Sequence, residues 1–377
     1  MPGHLRVLHV DSAHDWRGGQ AQIRALIEGL ARRGHTQWLA APEGPLAQHV
    51  RALGVEDFRF APRSDLDLGA ALALAARAKS LAPDVVHLHS ARAHATGWWA
   101  ARRANAACVV ARRVDFAVAT NALSVLKYRL PVDAFVTVSQ GIADVLHAAG
   151  IPAAKVRVIH SGIAVEAMAH AVDQARGERR GESLRTAWGV PAGAPLVGMI
   201  AALAPHKDHV TFLDAARGVL ALRPDAWFVC AGDGPSRDAV RAEAESPDLA
   251  GRVKLPGFVD DVPAVLAALD VFVLSSYLEG LGTSVLDAQA AGVPVVATWV
   301  GGIPEMIEPE VTGLLVPPRD PAALAAGIVR VLDEPGTARM RAGQARSTVQ
   351  AFDIERTIDA TEALYLELTR ARRGNAA

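Results

Sequence analysis

The chain has 377 residues, 51% hydrophobic and 21% charged, so a single small module is excluded and two domains with buried cores are expected. No apolar run reaches the roughly 18 residues of a membrane span, and Met1–Val10 lacks a signal peptide's apolar stretch, so a soluble, cytoplasmic protein is expected. The net charge of −1 hides an asymmetry, because residues 1–165 carry 19 Lys+Arg against 12 Asp+Glu and the remainder 20 against 28. A basic first half suits an anionic partner such as a phosphorylated substrate or an anionic lipid surface, and equally suits ordinary solvated arginine. Nucleic acid is not expected as a partner, since no basic motif interleaved with aromatics stands out. Cys108 and Cys230 sit in strand-like runs and read as packing residues, not as a disulfide or a metal site.

Short apolar runs alternate with longer segments whose apolar residues recur at three and four, which predicts βα units and mostly parallel sheets, an α/β fold. Strands are expected near Leu5–Val10, Thr36–Ala41, Asp84–His89, Ala107–Ala111, Ala134–Val138 and Val156–His160. A second set follows near Pro195–Ala201, Trp227–Ala231, Val253–Pro256, Val271–Ser275, Pro294–Thr298 and Gly313–Val316. Between the first two lies a helix, Gln20–Arg33, with Gly34 placed to end it. The charged, apolar-poor stretch at 172–185 reads as a linker, which divides the chain into 1–171, 172–185 and 186–350. A last helix in 351–377 is expected to pack across the domain boundary. Two doubly wound domains place ligands beyond the carboxyl ends of their strands, and a shared ligand would occupy a cleft between them.

Chemistry-bearing motifs in such a fold follow strands. After the first comes DSAHDWRGGQ, whose Gly18 and Gly19 let amides approach an anion at a helix N-terminus, or simply permit a turn. It is not a dinucleotide fingerprint. In DVVHLHS, His87 and His89 share one face of a strand; a third metal ligand is lacking, and a hydrogen bond from His89 to a polar substrate or a structural role both fit. Arg112 and Arg113 end another strand and suit phosphate or carboxylate recognition in the acceptor, or are solvated. Trp98 and Trp99 beside Arg102 and Arg103 fit a half-buried core helix better than a membrane-contacting one. Lys207 follows a buried strand and offers a compact cation for a diphosphate.

The segment VFVLSSYLEGLGTSVLDAQAAGVPVVAT reads as strand, Gly-rich loop, helix and strand. Gly280 and Gly282 free the amides of Leu281, Gly282 and Thr283 to face an anion at a helix amino end. Glu279 and Asp287 would repel a phosphate and fit neutral sugar hydroxyls instead; Ser284–x–x–Asp287 also has the spacing of a capping box. Asp65–x–Asp67 follows no predicted strand and opens an apolar helix, so it reads as a cap and no metal is expected.

This segment resembles the acidic E-x7-E motif of retaining glycosyltransferases of family 4, with Asp287 where the second Glu falls. WRGGQ, VVHLHS, VTVSQGIADVL, VRVIHSGI, LAPHKDH, AGDGP, LPGFVDDV, GGIPEMI and GLLVPPRD follow in the order of that family. The resemblance implies a GT-B fold of two Rossmann-like domains and a metal-independent, cofactor-free transfer from a nucleotide-diphosphate sugar, with retention, to a cell-envelope glycan, lipid-linked or lipopolysaccharide-type acceptor. It implies catalytic roles for His89, Lys207 and Glu279. Donor contacts would come from Gly18, Gly19, Lys207, Gly232, Phe258, Val259, Glu279, Gly280, Leu281, Gly282, Thr283, Ser284 and Asp287, and peripheral contact with the inner membrane face is expected. Ala202 replaces the family's usual Arg five residues before the Lys. An epimerase or phosphorylase of the same fold, or a non-catalytic nucleotide-sugar-binding protein, is the alternative.

Overall fold

The computed structural model describes residues 3–116, 118, 122–249 and 251–374. It divides into two compact units, Met1–Gly162 with Ile354–Ala377, and Ile163–Asp353. Each is a parallel α/β sheet covered by helices. The first unit contains β1 (Arg6–Val10), β2 (Thr36–Ala41), β3 (Glu56–Arg59), β4 (Val85–Leu88), β5 (Ala107–Arg112), β6 (Ala134–Thr137) and β7 (Val156–Val158), in the order β3-β2-β1-β4-β5-β6-β7. The second contains β8 (Leu196–Ile200), β9 (Trp227–Ala231), β10 (Val253–Gly257), β11 (Val271–Leu274), β12 (Val295–Thr298) and β13 (Leu314–Val316), in the order β10-β9-β8-β11-β12-β13.

In both sheets the order reverses beside the first strand, between β1 and β4 and between β8 and β11. Loops leaving such a pair diverge to opposite faces, and the crevice they leave is where open α/β sheets bind ligands. The central strands are buried on both faces, which is why they read as apolar runs rather than alternating ones. One face of the first sheet packs Val7, Val85, Val109 and Ala134 against Leu26 and Leu30 of helix Gly18–Arg32 and Ile358 and Tyr365 of helix Ile354–Gly374. Full burial of each such aliphatic side chain contributes about 1.5–3 kcal/mol. Among the described residues no helix is long and apolar enough to cross a membrane.

Three expectations change. The stretch at 172–185 is no linker: it lies in helices Val165–Gly177 and Arg180–Ala187, which pack on helix Val262–Ala268 within the second unit. Of its few apolar residues Val172 and Ala175 are fully buried and Leu184 half-buried, and a Cβ on Gly181 would lie 2.8 Å from the Ala267 carbonyl carbon. That glycine serves close packing. The last helix, Ile354–Gly374, belongs to the first unit, where Arg33 and His35 pair with Glu362 and Arg372 pairs with Asp133. Strand β3 is additional; its EDFR sequence has little apolar signal, because an edge strand is buried on only one side.

Candidate active site

In the second unit the loops after β8 and β11 are bonded to each other. Ser275 Oγ donates to the carbonyl oxygens of Lys207 (3.1 Å) and Asp208 (2.9 Å), and Tyr277 N donates to His206 O at 3.0 Å. These bonds bring Lys207 Nζ onto Glu279 Oε2, which also accepts from Ser276 Oγ at 3.2 Å. Both side chains are largely covered, at 15% and 12% exposure. The pair is therefore a neutralised ammonium and carboxylate held at the sheet's reversal point.

Gly282 follows in the left-handed region at φ +86°, and a Cβ there would lie 3.2 Å from both Glu279 Cγ and Leu274 Cδ2. The turn it permits starts helix Thr283–Ala290 with no side-chain cap. The first-turn amides, Thr283 and Ser284 among them, are thus free of side-chain acceptors and carry the helix's positive end. Because the helix begins at Thr283, Ser284 lies inside its first turn, and the capping box with Asp287 does not form. Asp287 is half-buried on the same helix, and burial raises its carboxyl to about 7.

Gly232 and Gly234 do not face open space. A Cβ on Gly232 would fall 1.9 Å from Ala201 O, so the AGDGP glycines seat this loop on the backbone after β8. Phe258 is 63% exposed just beyond β10, beside half-buried Val259. Gly280 and Leu281 are buried in the turn. Missed in the sequence was Arg319, whose guanidinium stacks 4.1 Å from the Tyr277 ring and brings a second cation to the loop that bears Glu279.

In the first unit, Asp11 follows β1 and accepts from Gln20 Nε2 at 3.1 Å, while Arg17 N donates to Gln20 Oε1 at 3.2 Å, shaping the start of helix Gly18–Arg32. Ser12 and Ser90 join the loops after β1 and β4 through their hydroxyls, 2.8 Å apart. His89 is buried, with Nε2 3.0 Å from His9 Nδ1 and Nδ1 3.4 Å from Arg113 Nη2. His9 Nε2 in turn lies 3.0 Å from Gln37 Oε1. His87 bonds through Nδ1 to the Tyr365 hydroxyl. His9 was missed because its partnership with His87 across β1 and β4 depends on strand order.

The arginine pair separates. Arg112 bonds to the Tyr128 hydroxyl and Phe116 carbonyl and stacks on Tyr128, so it fastens the segment after β5. Arg113 lies against Gly19, its Cδ 3.6 Å from where a Cβ would stand, and burial lowers its guanidinium to about 10 while the Asp11 charge opposes that shift. Trp98 packs on the core with Trp99 39% exposed, and Asp67 caps helix Leu68–Leu81 by accepting from Ala70 N at 3.1 Å. His9, His87 and His89 bring ligand atoms within 4.8 Å of one another. A dication there would face the Arg113 guanidinium and would have to displace the hydrogen bonds of His9 and His89, so the set does not fit a metal.

Two family profiles match the chain in succession: Glycosyltransferase Family 4 over residues 16–167 and Glycosyl transferases group 1 over residues 182–348. The chain is 28% identical over 298 residues to an Escherichia coli UDP-Gal:alpha-D-GlcNAc-diphosphoundecaprenol alpha-1,3-galactosyltransferase, covering 76% of each. It is 35% identical over 188 residues to a 2-deoxystreptamine glucosyltransferase of Streptomyces kanamyceticus, which is 48% of this chain and 49% of that enzyme. The fold of Anabaena Alr3699/HepE in complex with UDP and glucose superposes with a TM-score of 0.82 at 21% identity, over 97% of this chain and all of that one. The chain therefore belongs to the group 1, family 4 type of glycosyltransferases with the GT-B fold.

Proposed function

We propose that the chain moves a sugar from a nucleotide-diphosphate donor, with retention and without a metal ion, to a cell-envelope glycan, lipid-linked or lipopolysaccharide-type acceptor. The observation that carries this reading is the Lys207–Glu279 pair beside the uncapped start of helix Thr283–Ala290. Lys207 and the amides of Gly282–Ser284 take the diphosphate, Glu279 takes sugar hydroxyls and Asp287 takes ribose hydroxyls. Phe258 and Val259 lie on the nucleoside side. Arg319 supplies the cation absent at Ala202. In the first unit Arg113 takes an anionic group of the acceptor next to His89, and the Gly18–Gly19 turn beside it contacts the donor phosphate. The basic balance of residues 1–165 supports peripheral contact with an anionic membrane surface.

In the reaction the bond from the anomeric carbon to the diphosphate oxygen breaks and its electron pair stays on that oxygen. Lys207 and the helix amides stabilise this charge without reorganising, which is where preorganised donors lower a barrier most. The acceptor hydroxyl bonds to the anomeric carbon on the face just vacated and passes its proton to the leaving phosphate oxygen. Two supports favour metal independence: the positive groups are built in, and the Asp65–x–Asp67 pair is used for capping and for Lys127. Uridine diphosphate sugars are the first donors to assay, because the galactosyltransferase relative is named for one. Transfer is expected to persist in EDTA and to give the donor's anomeric configuration by proton NMR. An inverted product, or activity restored only by a divalent cation, overturns the corresponding part.

A further inference from the structure

The hydrogen bonds running from the first helix to Arg113 have one direction. Gln37 Nε2 donates to the Ile27 carbonyl at 2.8 Å; flipping the amide would set oxygen against oxygen, so Oε1 is the atom turned to His9. Oε1 only accepts, and His9 Nε2, 3.0 Å away, must hold the proton. Burial lowers His9 to about 4, so the ring is neutral at physiological pH and Nδ1 is a bare lone pair. His89 Nε2 at 3.0 Å must then be the donor, which leaves the lone pair of a neutral His89 on Nδ1, facing Arg113 Nη2. One backbone carbonyl thus sets two tautomers and ends at a cation.

We infer that Gln37 and His9 are positioning residues for Arg113: they hold His89 in the tautomer whose Nδ1 accepts from the guanidinium, and so keep that cation against Gly19. With the opposite tautomer an N–H would face Arg113 and push it away. The inference rests on the reading of Arg113 as a ligand-binding cation. Gln37 and His9 lie on β2 and β1, are buried, and are not expected to touch substrate themselves.

The test is nitrogen-15 NMR of the full chain labelled in histidine and arginine. Wild type is expected to show His9 and His89 as neutral Nε2–H tautomers at pH 7.5 and a resolved, slowly exchanging Arg113 Nη2–H. In Gln37→Leu the two tautomers become mixed and the Arg113 Nη2–H exchanges with solvent about tenfold faster, as loss of its one hydrogen bond to His89 implies. An Nδ1–H His89 in wild type overturns the inference with no variant needed, as does an unchanged tautomer and exchange rate in Gln37→Leu. If the tautomers are as stated and Arg113→Ala leaves sugar transfer unaffected, the hydrogen-bond chain stands and the reading of Arg113 as a ligand-binding cation fails.

Discussion

Lys207 Nζ donates to Glu279 Oε2, joining the loops that leave β8 and β11 on either side of the sheet's reversal point. Removing either partner leaves the other charge largely covered and without this ion pair. Lys207→Met and Glu279→Gln are each expected to destabilise the protein by about 1–3 kcal/mol, and the double variant by clearly less than their sum. Urea denaturation of all four proteins measures this; additive losses would show that the pair is not coupled. On activity, Lys207→Ala is expected to cost about 10²–10³ in kcat.

Gly282 is irreplaceable for two separate reasons, its positive φ and the crowding at its Cβ position. Gly282→Ala is expected to lower stability by about 1–2 kcal/mol and to weaken UDP binding by more than that loss explains, because the helix start moves. Thermal melts with and without UDP separate the two effects. Equal ligand-induced stabilisation in the variant and the wild type would contradict the role of the turn.

The Asp287 carboxyl titrates near 7 in the fold and near 4 when unfolded. Its folded value is the higher one, so its contribution to stability is complete below pH 4 and lost as the pH rises through 7. Binding runs the other way, since hydroxyls of a ribose are best accepted by the ionised form. UDP affinity measured by calorimetry is expected to rise between pH 6 and 8, and Asp287→Asn to flatten that rise. A pH-independent wild type would remove Asp287 from the nucleotide contact.

Arg112 and Arg113 are adjacent yet expected to behave oppositely. Arg112→Ala loses the Tyr128 and Phe116 bonds and the stacking on Tyr128, so its melting temperature falls by several degrees, as about 1–3 kcal/mol implies. Arg113→Ala removes a guanidinium that burial already disfavours, so the fold is nearly as stable while transfer falls. Melting curves and transfer rates on both variants decide this, and the reverse assignment is the contradicting outcome.

The parallel architecture was legible because doubly covered strands such as Val271–Leu274 are apolar without interruption, and the glycine at 282 marked the turn it makes. Less was readable where a signal serves two ends. Gly181 and its charged neighbours resemble a linker, yet the glycine is there so that a helix can touch the backbone at Ala267. Gly232 read as a glycine that lets a backbone or a ligand approach closely, and the structure sets the Ala201 backbone against it. His9 and Gln37 carry no local motif; their meaning arises only when β1 lies between β2 and β4. Arg112 and Arg113 are equivalent on paper, and only their contacts in the fold, Tyr128 and Phe116 against His89 and Gly19, distinguish them.

The most direct measurement is a crystal structure with a uridine diphosphate sugar bound. Diphosphate oxygens within about 3.2 Å of Lys207 Nζ and of the amides at Gly282–Ser284, with Glu279 turned to sugar hydroxyls, are predicted. A diphosphate seated elsewhere, with the Lys207–Glu279 pair untouched, would contradict the account.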